Sequence, residues 1–353
     1  MRAHSISALL VLILTTILIL LRHHLRDLAE VTRTYSAFRP YLSRHPETLH
    51  RYPQPADAAE HDDDDEFAPQ IIHQIFLTEG RPSKLTKYEP AIESCRSMHS
   101  NWTHNLWTDE SAAIFMAEHY PDIFPHYRGY KQSIQRANIL RYALLEHFGG
   151  VYVDVDVTCL QPLDDLLHLP FLTPGAYPAG VNNAFILSRP GHGFLRHLLE
   201  GVESRDLRWG MPYIENMLST GCMFFSNRWM SYVRSQLQET GAPTAEEDRV
   251  YILADRQGHM DPHMLRGAVT TPLFRHGGAS SWHGWDAAAI VLLGEHYLWF
   301  LALVGVWVLC VSLGIWRAVR RMQRRTRRSY SPLRKSMDKS GYDEEGVLGV
   351  KEG

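Results

Sequence analysis

The feature that most limits how this chain can fold is an uncharged apolar run near its end. Tyr297 to Trp316 reads YLWFLALVGVWVLCVSLGIW, twenty residues without a charge. That length crosses the hydrocarbon core of a bilayer as a helix, and lipid admits only a backbone whose hydrogen bonds close on themselves. Tyr297, Trp299 and Trp316 lie toward the ends of the run, where amphipathic rings favour the interface. The other reading is a buried core helix, but helices this uniformly apolar are rare in soluble domains. A second run, Ile6 to Leu21, is also uncharged and close to the lower limit for a span. It reads either as a cleaved signal peptide or as an anchor. Arg22-His23-His24-Leu25-Arg26 follow it directly with no small-x-small cleavage site, so an uncleaved anchor is expected.

Arginines 317, 320, 321, 324, 325, 327 and 328 follow the second run. Beside a membrane helix such a cluster stays cytoplasmic, although it would also suit nucleic acid or anionic lipid. Two spans then put both termini in the cytoplasm and the intervening chain in the lumen. The expected plan is a short N-terminus (1–5), an anchor (6–21), a stem (22–66) ending in the acidic run from Asp62 to Glu66, a lumenal domain (67–286), a second span (297–316) and a basic, largely disordered tail (317–353). Asn101-Trp102-Thr103 is an N-glycosylation sequon and agrees with a lumenal domain. The formal net charge is -3, which gives no global field for nucleic acid. Cys95, Cys159, Cys222 and Cys310 form no Cys-x-x-Cys pair, so a zinc site has no support. Cys310 falls in the apolar run, and the other three single out no pair, so no disulfide is expected.

The lumenal segment reads as one α/β domain. Ile71-Ile72-His73-Gln74-Ile75 has strand length and composition, and a second short strand is expected within 102–107. Thr108 or Asp109 would cap a helix that ends before Pro121. Ile134, Ala137, Leu140, Leu144 and Phe148 recur at helical spacing over 133–148, with Gly149 as the stop. Arg136, Asn138 and Arg141 interrupt that pattern. Val151 to Val157 alternates and is rich in β-branched residues, which predicts a strand running through Asp154 and Asp156.

Residues two apart on a strand share a face, so Asp154 and Asp156 would stand side by side with Tyr152 beneath them. Neighbouring carboxylates repel and need a counter-charge. A hard divalent cation supplies one, and such a cation bridges the phosphates of a nucleotide-sugar. Asp-x-Asp alone also fits a solvated strand end or a turn. Here the apolar flanks Val153 and Val155 point to a buried setting, in which unpartnered carboxylates are costly. A further candidate is Gly277 to Asp286, where His283 could join the metal sphere and Trp282 could donate to a phosphate. Those tryptophans also read as interfacial anchors, and His283 as a surface histidine.

Together these pieces resemble a known family. Arg136-Ala137-Asn138-Ile139-Leu140-Arg141-Tyr142 followed by Phe148-Gly149-Gly150-Val151-Tyr152-Val153-Asp154-Val155-Asp156 looks like the DXD signature of family 32 glycosyltransferases. The stretches 71–75 and 106–110 are similar to that family's opening segments. Ser281-Trp282-His283 with Asp286 is similar to the closing motif of its fungal sphingolipid members. The resemblance implies a GT-A fold and retaining transfer of mannose from GDP-mannose, with Mn²⁺ or Mg²⁺ held by Asp154, Asp156 and His283. It implies inositol phosphoceramide as acceptor, a Golgi (or ER/Golgi) membrane location and a multi-pass regulatory membrane partner. Arg141 matches the family's donor-binding arginine, and Asn138 stands where the family has an aspartate. Tyr152, Asn182, Asn183 and Trp282 are expected around the donor, although Asn182 and Asn183 also read as a loop pair that satisfies itself. Two other functions fit the same features: mannosyl transfer to protein-linked glycans, and a non-catalytic membrane subunit built on the fold.

Overall fold

The computed structural model describes residues 2–53, 67–78, 85–240, 244–278 and 284–337. The chain divides into two compact units, residues 1–287 and 288–353. The first unit is α/β. Its strands are β1 (Leu49–Arg51), β2 (Ile71–Ile75), β3 (Thr103–Trp107), β4 (Gly150–Val153), β5 (Val157–Cys159), β6 (Phe171–Pro174), β7 (Phe185–Ser188), β8 (Tyr251–Ala254), β9 (Val269–Thr270) and β10 (Phe274–His276). Its helices are α1 (Arg2–Arg44), α2 (Glu89–Met98), α3 (Asp109–His119), α4 (Phe124–Gly129), α5 (Ser133–Phe148), α6 (Gly193–Glu200), α7 (Pro212–Ser219), α8 (Cys222–Thr240) and the start of α9 (Trp285–Glu295).

Seven strands form the main sheet in the order β1-β8-β6-β7-β4-β2-β3. Neighbours run parallel except at β7, which is antiparallel to both β4 and β6. Side chains alternate across β4: Tyr152 joins the core beneath α5, α6 and α8, while Val151 and Val153 join the core on the opposite face. A small sheet, β5-β10-β9, continues from the end of β4. The short strand before α3 and the capping box between Thr108 and Ser111 lie where the sequence places them. Helix α5 ends at Gly149, whose φ of 69° lies in the left-handed region. A side chain there would also collide with Pro190 Cδ at 2.6 Å, so glycine is needed twice over.

Three expectations change. The predicted stem is partly built into the fold: Phe38, Tyr41 and Leu42 of α1 are buried, with Phe38 and Tyr41 edge-on to Trp229 of α8. Strand β1 then adds an edge to the main sheet beside β8. Cys95 and Cys159, 64 residues apart, are joined in a disulfide, and that pairing depends on α2 lying against β5, which spacing alone does not reveal. The predicted strand through Val157 breaks at Asp154, as set out below.

In the second unit, α10 runs from Tyr297 to Met337. Among the described residues one helical stretch, Ala302–Arg321, is long and apolar enough to cross a membrane, and none of it is buried. The helix continues through the arginine cluster into part of the tail read as disordered. Arginine is a good helix former. The Ile6–Leu21 run lies within α1.

His73 ties β2 to the glycine turn before β4. Its ring bonds the Gly149 carbonyl through Nε2 (3.2 Å), and Nδ1 accepts from the Trp107 indole N–H (3.2 Å). Burial lowers its pKa to about 4, so the folded state resists a proton that the unfolded chain accepts near 6.5. The folded pKa is depressed, so the stabilisation is complete above pH 6.5 and is lost as pH falls towards 4. The span corresponds to about 3 kcal/mol at most. We expect the melting temperature of the detergent-solubilised chain to fall across this window. His73→Gln, which keeps one donor and one acceptor, should flatten that fall, leaving the share carried by His192 and His197. An unchanged pH slope in this variant would remove His73 as its source.

Candidate active site

A cavity of about 430 Å³ opens beyond the carboxyl ends of β2, β4 and β6. This is where ligands collect in open α/β sheets, and the volume is that of a small-molecule site. Ile75, Phe76 and Leu77 bring β2 to it, and Asp154, Val155 and Asp156 follow β4. Gly175, Ala176 and Tyr177 follow β6, and Asn182 to Ala184 lead into β7. From α5, residues 134, 137, 138 and 141 line the cavity together, since they fall on one face at helical spacing. The polar residues that interrupt the apolar pattern of α5 are therefore partly explained: Asn138 and Arg141 face the cavity.

Asp154 to Asp156 form a tight turn between β4 and β5. The Val157 amide donates to the Asp154 carbonyl (3.0 Å), and the Asp154 amide donates to the Ala184 carbonyl (2.9 Å). The carboxylates thus converge through a turn rather than through the pleat of one strand. Asp154 Oδ1 accepts from the Tyr152 hydroxyl at 2.6 Å and lies 3.3 Å from Arg141 Nη1. The Arg141 guanidinium also lies over the Tyr152 ring, 4.4 Å from its centroid. Burial raises the Asp154 pKa and Asp156 raises it further, while Arg141 and the Tyr152 hydrogen bond pull it down.

The third member of the group is His276. Strand β10 pairs antiparallel with β5, with His276 opposite Val157, and this sets the imidazole beside the turn. His276 Nε2 is 3.5 Å from Asp156 Oδ2, and Nδ1 bonds the Gly267 carbonyl at 2.7 Å. The carbonyl fixes the proton on Nδ1 and leaves Nε2 turned to the carboxylates, the orientation that metal-binding histidines adopt. Burial acts against the charged ring, but its bond to Asp156 and the two carboxylates outweigh burial and raise the His276 pKa. Ligand atoms of Asp154, Asp156 and His276 all lie within 4.8 Å of one another. Two carboxylates and one imidazole form a donor set for a divalent cation, so the residues fit the metal that the motif implies.

A buried polar network backs the cavity. Asn138 Nδ2 donates to Asn216 Oδ1 (2.9 Å) and to Thr220 Oγ1 (3.1 Å). Asn183 Nδ2 donates to the Tyr142 hydroxyl (2.7 Å) and to Asn138 Oδ1 (3.3 Å). The Asn183 carbonyl accepts from Arg141 Nη1, and its Oδ1 accepts from the Cys222 thiol (2.9 Å). Asn182 is held by contacts to Leu265 and Ala184.

Of the residues singled out in the sequence, Asn138, Arg141, Tyr152, Asp154, Asp156, Asn182 and Asn183 all meet at this cavity. Trp282 and His283 lie outside the described residues. Asp286 is buried and accepts from the Tyr213 amide, so it caps the start of α7. His276, Asn216 and Cys222 were not singled out. His276 stands one residue before the Gly277-Gly278 pair, at the end of a short strand, and only the pairing of β10 with β5 brings it to the turn.

A family model described as the glycosyltransferase sugar-binding region containing a DXD motif matches residues 86–171. Inositol phosphoceramide mannosyltransferase 2 of Schizosaccharomyces pombe is 35% identical over 228 residues, 65% of this chain and 62% of that protein. A mannosyl phosphorylinositol ceramide synthase of Saccharomyces cerevisiae is 33% identical over 235 residues, 66% of this chain and 57% of its own length. The chain thus spans about three fifths of the length of these relatives. Among solved structures, the PaToxG glycosyltransferase aligns over 50% of this chain and 75% of its own, with a TM-score of 0.37 and 15% identity. The matched segment contains both carboxylates of the turn and the cavity face of α5, so the part of the chain that builds the site is the part similar to the DXD-containing sugar-binding region of glycosyltransferases.

Proposed function

We propose that this protein is a metal-dependent, retaining mannosyltransferase with a GT-A-like domain that moves mannose from GDP-mannose to inositol phosphoceramide. The observation that carries the reading is the convergence of Asp154, Asp156 and His276 on one edge of the cavity. A divalent cation such as Mn²⁺ held there would act as a Lewis acid on the diphosphate that leaves with the nucleotide. Asp154 and Asp156 would supply its oxygen ligands and His276 its nitrogen. Arg141, fully buried and braced by Tyr152 and the Asn183 carbonyl, keeps a fixed positive charge beside Asp154 that needs no reorganisation as charge develops. Asn138 and Asn183 commit their side-chain N–H groups to Asn216, Thr220, Tyr142 and each other, which leaves the second lone pairs of their side-chain oxygens for sugar hydroxyls. Phe76 and Tyr88, in edge contact at 5.9 Å, give the cavity an aromatic wall.

The acceptor comes from the names of the relatives and from the membrane segments, which keep such a site close to lipid headgroups. The plan we favour has two spans, at 6–21 and 297–316, a Golgi lumenal domain and a multi-pass partner. Two features support the lumenal side. The Cys95–Cys159 disulfide suits an oxidising compartment, and Asn101 of the sequon is exposed in the turn before β3. Leu12, Leu14 and Leu20 of the first run stand open to the surroundings, as a helix meant for lipid requires.

Two predictions test the site. With Mn²⁺ and GDP-mannose, Asp154→Asn and Asp156→Asn should each lose at least about a hundredfold in transfer and in donor hydrolysis; retained activity in both variants would overturn the assignment. His276→Ala should weaken Mn²⁺ binding about ten- to a hundredfold, read as the shift in a Mn²⁺ titration followed by electron paramagnetic resonance. A titration midpoint equal to that of the unmodified protein would remove His276 from the metal set.

A further inference from the structure

The function proposed above uses Arg141 and His276 but leaves the other cationic side chain of the cavity without a task. Arg266 lines the cavity and is exposed at its rim. Its guanidinium lies over the ring of Tyr177, 4.3 Å from the centroid, and Tyr177 is itself 59% exposed. Both neighbours of Arg266 in the chain are tied to the site. The Leu265 carbonyl accepts from Asn182 Nδ2 (3.3 Å), and the Gly267 carbonyl is bonded by His276 Nδ1 (2.7 Å). Arg266 therefore sits on a backbone segment pinned between the cavity wall and the histidine beside the two aspartates.

The charges around the cavity are unevenly committed. Arg141 is paired with Asp154, and His276 with Asp156. Among the described residues no carboxylate pairs with Arg266, whose contact is the face of a tyrosine. Stacking on an aromatic ring orients a guanidinium while leaving its N–H groups free along the edge. A planar fork of that kind suits the two free oxygens of a phosphodiester, which it can hold in bidentate fashion.

We propose that Arg266, stacked on Tyr177, binds the phosphodiester of a lipid acceptor at the mouth of the cavity. The inference rests on the acceptor reading above and adds the residue that recognises the acceptor's charge. The geometry favours the acceptor over the donor. The donor's diphosphate would lie at the two aspartates, which pair with Arg141 and His276 and not with Arg266. An inositol hydroxyl placed for attack would leave the phosphodiester one ring further out, toward the rim. An anion there would otherwise meet a cavity lined by two partly buried aspartates, so a cation that no carboxylate engages offsets the repulsion and favours phosphorylated over neutral headgroups.

The test uses the full chain with GDP-mannose, Mn²⁺ and inositol phosphoceramide in phosphatidylcholine vesicles. Arg266→Ala should raise the KM for the lipid about ten- to a hundredfold, the effect of losing a charge-assisted bidentate contact, and leave donor hydrolysis without acceptor unchanged. Arg266→Lys should recover only part of the loss, since a point charge replaces the fork. Three results overturn the proposal. In the first, the acceptor KM is unchanged. In the second, donor hydrolysis falls in step with transfer, which gives Arg266 to the donor diphosphate. In the third, Arg266→Ala binds acceptor-free vesicles of anionic phosphatidylserine less well by the same factor, which gives it to the bilayer. An unmodified protein that hydrolyses donor but transfers to no lipid instead takes down the acceptor reading and this proposal with it.

Discussion

The site depends on how two carboxylates are accommodated within one turn. Asp154 and Asp156 are partly buried, and each would be costly there without a partner. Arg141 and the Tyr152 hydroxyl meet Asp154, and His276 meets Asp156. Arg141 is buried in its turn, and a buried arginine needs both a carboxylate and hydrogen bonds to offset its lost hydration. It has the Asp154 carboxylate and the Asn183 carbonyl. The charges thus hold one another in place, and Asp154, Asp156 and His276 are the residues that would hold a divalent cation.

That arrangement sets the architecture around it. The turn is the point at which the chain leaves the main sheet and enters the small one, so β4 holds one side of it and β5 the other. Strand β10 must pair with β5 for His276 to arrive. Cys159, at the far end of β5, is bridged to Cys95 of α2, which restrains the strand through covalent chain constraint as well as packing. At the other end of β4, the paired glycines 149 and 150 have positive φ and let α5 fold back directly over the strand. The register between Arg141 and Asp154 follows from that reversal.

The sequence makes the acidic pair, α5 and its glycine stop legible, because each is written in local pattern: Asp-x-Asp after a β-branched run, a 3.6-residue repeat, a glycine at its end. The same local reading overextends β4. Val155 and Val157 continue the alternation, but the Ala184 carbonyl takes the Asp154 amide and the strand bends away. His276 escapes notice because a histidine 120 residues from the aspartates carries no local sign of its contact, and only the β5–β10 pairing makes it a neighbour. The disulfide is hidden for the same reason. The part of the stem that packs on α8 is hidden differently: Phe38, Tyr41 and Leu42 lie in a stretch otherwise rich in charge, where apolar residues read as scattered until Trp229 is found beneath two of them.

The amide at position 138 follows from the same charge balance. Asn138 lies one turn before Arg141 on α5, and Asn183 touches both: its carbonyl accepts from the arginine, and its side chain donates to Asn138. A carboxylate at 138 would add a third acid near a guanidinium already engaged by Asp154, in a network whose other members are amides, hydroxyls and a thiol. A neutral amide joins that network as both donor and acceptor and leaves Arg141 to Asp154 alone. Asn216 and Thr220 complete the arrangement by accepting the two Asn138 N–H groups. A neutral amide at 138 therefore keeps the charge of the site concentrated at the turn.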